Sequence, residues 1–345
     1  MKYSVLLRPI KYSDLDALLN LALEAQYGIT SLPKQRDFLE KKISLSINSF
    51  AKEIEGPENE SYLFVLENIV SKEILGTCGI ISQTSIREPF YSFELQTIQN
   101  ASPSLHIYKE HSLLYLHRTK HTPTEICSLF LTQKARNKGL AKLLSLSRFI
   151  FMQVHSIRFN STVVAKMRGI ISKEGISPFW EHILKPFFTM TFAEADLLRL
   201  SNTEFITDLI PKNPIYIDLL PKEVQEVIAK IHPNTIPALK ILEKQGFKFS
   251  NKIDIFDGGP NYYAPLKEIH SVKHCKSGYL HSIVKKNPSS DILSIVCNPK
   301  IHFLSAYGYI QENSSNKVTL SEELVKTLKL EIDDPVAYLH LGTLP

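Results

Sequence analysis

The chain has 345 residues, with 43% hydrophobic and 22% charged residues, which are ordinary values for a globular protein. This length permits two domains and a sizeable core. The formal net charge of +5 is mild and no basic run dominates, so we expect no nucleic-acid partner. No apolar run approaches the ~20 residues that span a bilayer, and the first residues are too poor in apolar side chains for a signal peptide. We therefore expect a cytoplasmic protein with no membrane partner.

The residues that bind metals and form disulfides give no positive signal. The chain has 12 histidines, but no His, Cys or Asp cluster has the spacing of metal ligands, so we expect no metal. Nothing favours any pairing of the four cysteines, Cys78, Cys127, Cys275 and Cys297. Cys78 and Cys127 lie in strand-like runs, which favours buried thiols in a reducing compartment.

Periodicity and capping residues predict the elements of the first 124 residues. They are a strand at Tyr3–Leu7, a helix capped by Ser13 and ending near Gln26, a helix at Asp37–Ile54, and a strand hairpin formed by Ser61–Glu67 and Leu75–Gln83. Residues 84–124 contain aromatic and turn residues, and we interpret them as an irregular strand region near the substrate.

The next elements carry the strongest functional signal. A central strand is predicted at residues 125–131, because Ile126–Leu131 is nearly all apolar, as is typical of a strand that is buried on both faces. A helix is predicted at about 139–155, and the β-branched run Thr162–Met167 predicts a strand parallel to the first. The segment that follows the strand at 125–131 and opens this helix is Arg136-Asn137-Lys138-Gly139-Leu140-Ala141. Amide groups at a helix start lack intrahelical partners, and the helix dipole favours an anion there, so this segment predicts a pyrophosphate site.

In the second half, helices are predicted at about 177–190 and at Thr235–Lys244, the latter followed by a strand at Gly246-Phe247-Lys248-Phe249. After residue 265 we predict a polar loop at Lys285–Asp291, a strand at Ser305–Ile310, a helix from Ser321 to about Leu330, and a last strand at Val336–Leu341. This end of the chain is β-rich and shows no chemistry of its own.

A strand, then Arg-x-x-Gly-x-Ala, then a helix resembles the acyl-CoA site of the GNAT superfamily of N-acetyltransferases. Longer segments resemble the bacterial arginine N-succinyltransferase family, in the order of that family, over residues 1 to about 262. They include Thr30-Ser31-Leu32-Pro33, Glu125-Ile126-Cys127-Ser128-Leu129-Phe130-Leu131, Ser147-Arg148-Phe149-Ile150-Phe151-Met152, Met167-Arg168-Gly169, Ser177-Pro178-Phe179-Trp180, Phe187-Phe188-Thr189-Met190, His232-Pro233-Asn234-Thr235 and Ile253-Asp254-Ile255-Phe256-Asp257-Gly258-Gly259-Pro260.

The resemblance implies an α/β (α+β) tandem N-acetyltransferase-like fold, with a mixed central sheet flanked by helices and a small β-rich C-terminal tail. We divide the chain into a first lobe with the acyl-CoA site (1–200), a partial second lobe (201–265) and a C-terminal region (266–345). A helix followed by a strand is predicted both at Ser177-Pro178-Phe179-Trp180 and at Thr235–Lys244. We interpret this repeated pattern, an echo between the lobes, as the same step of two acyltransferase-like units. A glycine that follows a helix as a C-cap would look the same.

The resemblance also implies a reaction, the transfer of a succinyl group from succinyl-CoA to the α-amine of arginine, in a homo-oligomer. It places the acyl-CoA at the backbone of Leu129 and at the loop residues Arg136, Lys138, Gly139, Leu140 and Ala141. The family's catalytic histidine, a proton donor, matches His232. From the residues alone, His232 could act as acid or base, or could only cap the following helix. Cys127 lacks an evident activating partner, which favours a structural thiol.

An arginine acceptor needs carboxylates for its guanidinium and a cation for its α-carboxylate. Glu125, Asp254 and Asp257 are the candidates for the guanidinium, and Arg168 with the loop Thr30-Ser31 for the carboxylate. Glu125 and Arg168 could instead form a structural ion pair, and Asp257 could simply make a turn.

Departures from the family pattern leave the acceptor open. They include Gln26-Tyr27-Gly28-Ile29 in place of a glycine-rich run and Lys166 in place of an acidic residue. Ornithine, another amine or another acyl group remains an alternative, and so does a non-catalytic acyl-CoA-binding protein that retains the fold.

Overall fold

A computed structural model of the chain describes residues 4–25, 29, 31–84, 90–119, 122–199, 202–288, 292–313 and 315–343. In these residues sixteen strands form one mixed sheet. The strands are β1 (Val5–Pro9), β2 (Ser61–Asn68), β3 (Ile74–Ile81), β4 (Phe90–Ser102), β5 (Ile107–Thr119), β6 (Thr124–Leu131), β7 (Thr162–Lys166), β8 (Ile215–Tyr216), β9 (Lys248–Ile253), β10 (Pro260–Pro265), β11 (Lys276–Val284), β12 (Leu293–Asn298), β13 (Leu304–Tyr309), β14 (Gln311–Glu312), β15 (Lys317–Ser321) and β16 (Pro335–His340).

Ten α-helices accompany the sheet within the described residues. They are α1 (Leu15–Ala25), α2 (Arg36–Ala51), α3 (Leu140–Val154), α4 (Lys185–Phe188), α5 (Phe192–Leu198), α6 (Glu204–Leu209), α7 (Lys222–Gln225), α8 (Ile236–Lys244), α9 (His270–Lys273) and α10 (Glu322–Leu328). None of the helices in the described part of the chain is long and apolar enough to cross a bilayer.

The strands follow the order β14-β15-β11-β16-β12-β13-β1-β2-β3-β6-β7-β10-β9-β4-β5-β8 across the sheet. The pairs β6–β7 and β11–β15 are parallel, and the other neighbours are antiparallel. The predicted fold class, a mixed sheet flanked by helices with a β-rich C-terminal region, is therefore confirmed. The predicted strands and helices of residues 125–167 are also confirmed, with ends that shift by one or two residues.

Several local predictions are wrong. Ser13 does not cap α1, because a 3-10 turn at Tyr12–Asp14 precedes the helix and the Asp14 carboxylate accepts the Lys11 N–H at 2.8 Å. Residues 90–119 are not irregular but form two long strands, β4 and β5, paired without a shift from Phe90↔Thr119 to Ser102↔Ile107. The C-terminal region contains four strands, β11, β12, β14 and β15, that the pattern did not predict.

The predicted echo between the lobes is found in one place only. Helix α8 leads into β9, whereas α4 ends at Phe188, is capped by Thr189 with a positive φ of 52°, and is followed by α5 rather than a strand. Burial explains this difference, because Trp180 stacks on Phe256 at 5.4 Å inside an apolar cluster that holds the segment as helix. The same cluster contains Phe93 and Ile206, on both sides of the predicted boundary at residue 200. The division into three parts stays a prediction.

Helix α3 is the central helix of the structure, and residues 143–152 are all buried. The C-terminal region supplies part of its surroundings. The Tyr307 hydroxyl donates to the Gly139 carbonyl at 2.8 Å, and the Ser305 and Ser147 hydroxyls lie 2.8 Å apart. The C-terminal strands therefore hold the start of the helix that carries the predicted pyrophosphate loop.

We expect Tyr307→Phe to lower the free energy of unfolding by about 0.5–1.5 kcal/mol, since it removes one hydrogen bond to a helix-start carbonyl. Denaturant unfolding measures this change. Tyr309→Phe, on the same strand with a partly exposed ring, is the matched control. Equal stability of the two variants would contradict the role of the Tyr307 hydroxyl.

Candidate active site

The parallel strands β6 and β7 separate immediately after they pair. The pairing joins Thr124 to Val163 and Glu125 to Val164 and ends there. Beyond this point β6 stays with β3, while β7 stays with β10. The gap that opens between the two strands creates a cleft in the middle of the sheet.

A β-bulge in β6 lies at the gap. Thr77 pairs with Phe130 and Gly79 with Cys127, so Ser128 and Leu129 together face Cys78 on β3. Ser128 has a positive φ of 51°, which is rare for a residue with a side chain. Its N–H donates to the Ser31 hydroxyl and its own hydroxyl donates to the Ser31 carbonyl, both at 2.9 Å. The loop after α1 therefore stabilises the bulge.

The cleft has a volume of about 390 Å³ and contains part of the predicted site. Five of the predicted residues line it, namely Glu125, Leu129, Arg168, Asp254 and Asp257. Ser31 also lines the cleft, whereas Thr30 lies outside the described residues. Residues that are far apart in the sequence thus meet at the point where β6 leaves β7.

The predicted pyrophosphate loop lies at the start of α3. Gly139 has a positive φ of 76° and precedes the first helical residue, Leu140. Arg136, Lys138 and Gly139 are exposed, Leu140 is buried and Ala141 is partly exposed. The Arg136 guanidinium lies 5.8 Å from the centre of the Phe130 ring. The cationic side chains and the helix start are thus available to an anionic ligand.

His232 lies beside the cleft without lining it. Its N–H donates to the Arg168 carbonyl at 2.9 Å, and the next helical turn brings Thr235 into the cleft wall. The Nδ1 atom accepts the Asn234 N–H at 3.2 Å, so the capping role considered from the sequence is present in the structure. Burial and the Arg168 guanidinium lower the pKa of His232, which keeps the ring neutral at pH 7.

The two aspartates at the base of the cleft are engaged by the protein itself. Asp257 is buried, and its two carboxylate oxygens accept the N–H groups of Gly169 and Gly259, each at 2.8 Å. Burial and the nearby Asp254 raise the pKa of Asp257. Asp254 accepts the Phe256 N–H at 2.8 Å and lies 4.0 Å from the buried guanidinium of Arg199. Arg199 thus occupies part of the place that we predicted for a substrate guanidinium.

Glu125 forms an ion pair with Lys166 at 3.1 Å rather than with Arg168. The Lys166 ammonium also lies 4.5 Å from the centre of the Phe90 ring. Arg168 has no ion pair among the described residues, and its buried Nε lacks a hydrogen-bond partner there. Of these two cations in the cleft wall, Arg168 is the one without a carboxylate partner in the described chain.

Sequence reasoning missed four contributors to the cleft: Ser128, Arg148, Lys166 as the partner of Glu125, and Arg199. Arg148 had a visible signal, since it is the single charged residue in the otherwise apolar and small run from Leu143 to Met152. Cys78 and Cys127 are buried free thiols, as predicted. In the described residues no group of three His, Cys, Asp or Glu side chains could hold a metal ion.

The divergent strand pair, the bulge and the helix start define the class of the protein as an N-acyltransferase. Residues 5–271 match the family model described as "Arginine N-succinyltransferase beta subunit". The chain is 34% identical to the arginine N-succinyltransferase of Escherichia coli over 340 residues, which is 98% of each chain. A solved structure of the arginine/ornithine succinyltransferase subunit AI from Pseudomonas aeruginosa superposes with a TM-score of 0.87 at 30% identity, covering 99% of this chain and 100% of that one. The chain belongs to the arginine N-succinyltransferase family.

We expect Arg168→Gln to raise the pKa of His232, because it removes a positive charge that disfavours the imidazolium. An NMR titration of the histidine ring protons measures this shift directly. Arg36→Gln, which removes an exposed arginine paired with Asp16, is the matched control and should leave the His232 titration unchanged. The same His232 pKa in all three proteins would exclude an electrostatic effect of Arg168.

Proposed function

We propose that this chain transfers the succinyl group of succinyl-CoA to the α-amine of L-arginine by direct attack of the amine on the thioester. The observation that carries the proposal is the cleft at the divergence of β6 and β7, which contains a strand bulge and an arginine without a carboxylate partner in the described chain. Family membership supports the choice of reaction.

The loop from Arg136 to Ala141 binds the pyrophosphate of the CoA ester. The first amides of α3 have no intrahelical acceptors, and Gly139 leaves the backbone open to close approach. Arg136 and Lys138 add two positive charges next to these amides. The Tyr307 contact to the Gly139 carbonyl holds this loop in place before the ligand binds.

The backbone of Leu129 stabilises the reacting carbonyl. A bulge leaves one residue outside the regular ladder, and a strand N–H freed in this way can donate to the oxyanion that develops on the thioester. The hydrogen bonds from Ser128 to Ser31 fix the bulge in advance, so no reorganisation is required during the reaction.

Arg168 binds the α-carboxylate of the acceptor. A guanidinium can form two parallel hydrogen bonds to a carboxylate, and the Nε of Arg168 lacks a partner among the described residues. This contact holds the neighbouring α-amine next to the thioester. Asp254 lies nearby and provides negative charge for the cationic end of the acceptor.

His232 stabilises the leaving thiolate as a hydrogen-bond donor. Because Nδ1 accepts the Asn234 N–H, the neutral ring carries its proton on Nε2. The carbon–nitrogen bond forms as the carbon–sulfur bond breaks, the Nε2–H donates a hydrogen bond to the thiolate as it leaves, and the sulfur takes up the proton that the attacking amine nitrogen loses. The histidine is thus unchanged after one turnover.

Ornithine is the second candidate acceptor. Arg199 already faces Asp254, and Glu125 is neutralised by Lys166, so a guanidinium-binding carboxylate pair is not free in the described cleft. An ammonium needs only one carboxylate and no planar fork. Both acceptors share the α-amine and α-carboxylate, so the reaction at the thioester would be the same.

The test of the proposed function is a turnover assay that follows free thiol from succinyl-CoA with arginine, ornithine, lysine and agmatine. We expect turnover with arginine, a preference of about 10-fold or more over lysine, and little turnover with agmatine, which lacks the α-carboxylate. Asp254→Asn should reduce the preference for arginine, and Asp16→Asn is the exposed control. CoA binding without thiol release from any amine would favour the non-catalytic alternative.

A pair of variants separates catalysis from helix capping at His232. His232→Ala removes both the cap and the proton, whereas His232→Asn keeps a side-chain acceptor for the Asn234 N–H but cannot transfer a proton. We expect both variants to lower kcat by roughly 10²–10⁴ with similar CoA affinity. If His232→Asn retains near-normal kcat and only His232→Ala is impaired, the residue serves the helix and not the reaction.

A further inference from the structure

We propose that Arg148 binds the terminal carboxylate of the acyl group and thereby selects acyl-CoA esters of dicarboxylic acids. This inference rests on the proposed function, which it deepens by assigning the residue that distinguishes succinyl from uncharged acyl groups. None of the residues predicted from the sequence had this role.

Arg148 lies in the middle of α3 and is 2% exposed. Its side chain forms part of the cleft wall together with Cys127 and with Ser128 and Leu129, the two residues of the bulge. The arginine is therefore screened from bulk solvent and adjacent to the position proposed for the thioester carbonyl.

The guanidinium has no carboxylate partner among the described residues. Its Nε donates to the Ser145 carbonyl at 3.3 Å and its Nη2 to the Ser145 hydroxyl at 3.0 Å, both on the preceding turn of the same helix. The titratable groups that act on it are Cys78 and Cys127. Burial raises the pKa of Cys78 to about 12, so this thiol is neutral and does not balance the charge.

Two other arginines, Arg8, which is buried, and Arg199, which is partly buried, pair with carboxylates of the chain. Arg8 forms ion pairs with Asp14 at 2.7 Å and with Glu67 at 2.5 Å. Arg199 lies 2.7 Å from Asp196. A buried charge without a counter-ion costs several kcal/mol, and these two arginines avoid that cost through carboxylates of the chain itself. Arg148 has no such carboxylate in the described chain, so its burial stays unfavourable until a counter-ion binds. This is expected if the counter-ion is a ligand.

The position of Arg148 suits the far end of the acyl group. It is eight residues beyond Leu140, or about 12 Å along the helix axis from the proposed pyrophosphate site. One helix thus contributes to both ends of the co-substrate, through its first amides at the pyrophosphate and through Arg148 at the acyl carboxylate. Arg168, which follows β7 in the chain and also lines the cleft, remains for the carboxylate of the acceptor.

This arrangement rejects uncharged acyl groups as well as favouring charged ones. A carboxylate can take the guanidinium donors that Ser145 does not use. A methyl group in the same place would contact the buried charge without pairing it and would displace any water that solvates it. Discrimination therefore comes from both an attractive and a repulsive component.

Calorimetry with succinyl-CoA and butyryl-CoA tests the proposal, because the two esters have the same number of carbon atoms and differ in the terminal carboxylate. We expect the wild-type protein to bind succinyl-CoA about 10–100-fold more tightly, and Arg148→Met to lose most of this ratio. Arg148→Lys, which keeps the charge but not the fork, should retain part of it. Lys138→Gln is the matched control and should weaken both esters equally, since it touches the part they share.

Equal affinity of the wild-type protein for the two esters would overturn the proposal and needs no variant to fold. An unchanged ratio in a folded Arg148→Met protein, checked by thermal unfolding, would overturn it as well. The proposed function is judged separately by thiol release with the amine panel. If the wild-type protein releases thiol but Arg148→Met keeps the same affinity ratio between the two esters, the proposed function stands and the role of Arg148 is excluded. If Arg148→Met loses the affinity ratio but the wild-type protein releases no thiol with any amine, the role of Arg148 in acyl binding stands and the proposed reaction is excluded.

Discussion

The separation of β6 from β7 is the constraint on which the rest of the structure depends. Because the parallel pairing ends after two residue pairs, the backbone N–H and C=O groups beyond it cannot form hydrogen bonds between these two strands. The fold provides substitutes on both sides: β3 and the Ser31 loop hold β6, and β10 with the Asp257 carboxylate holds the chain at and beyond β7. The cleft is therefore an opening whose edges are hydrogen-bonded to the protein, which lets it stay open without a ligand.

The charges in and around this opening fall into two groups. Glu125, Asp254 and Asp257 are engaged by Lys166, by Arg199 and by backbone amides. Arg148 and Arg168 have no carboxylate partner in the described part of the chain. The cleft thus offers unpaired positive charge, although three carboxylates around it, Glu125, Asp254 and Asp257, were first considered for binding a cation. Recognition of two carboxylates, one on each substrate, is the chemistry that this distribution favours.

The sequence predicted the elements around the cleft because their patterns are local. The apolar run of β6, the β-branched run of β7 and the glycine before α3 each report on their own backbone. The bulge was not predictable, because a serine at positive φ carries no local signal and is held by Ser31, which is 97 residues away. The hairpin of β4 and β5 was missed because the far halves of both strands are exposed and lack apolar alternation. The ion pairs of Glu125 and Asp254 depend on tertiary packing, so they could not be predicted from the sequence either.

The capping bond of His232 and its proposed catalytic role are not competing explanations. A neutral histidine has two tautomers, and only the one with a proton on Nε2 can donate from that atom. The bond from the Asn234 N–H to Nδ1 selects this tautomer, and burial with the adjacent Arg168 charge keeps the ring from taking a second proton. The short helical turn that begins at Pro233 therefore sets both the position and the protonation of the ring. A residue that first looks like a helix cap is, by the same hydrogen bond, prepared to donate its Nε2–H to the leaving sulfur.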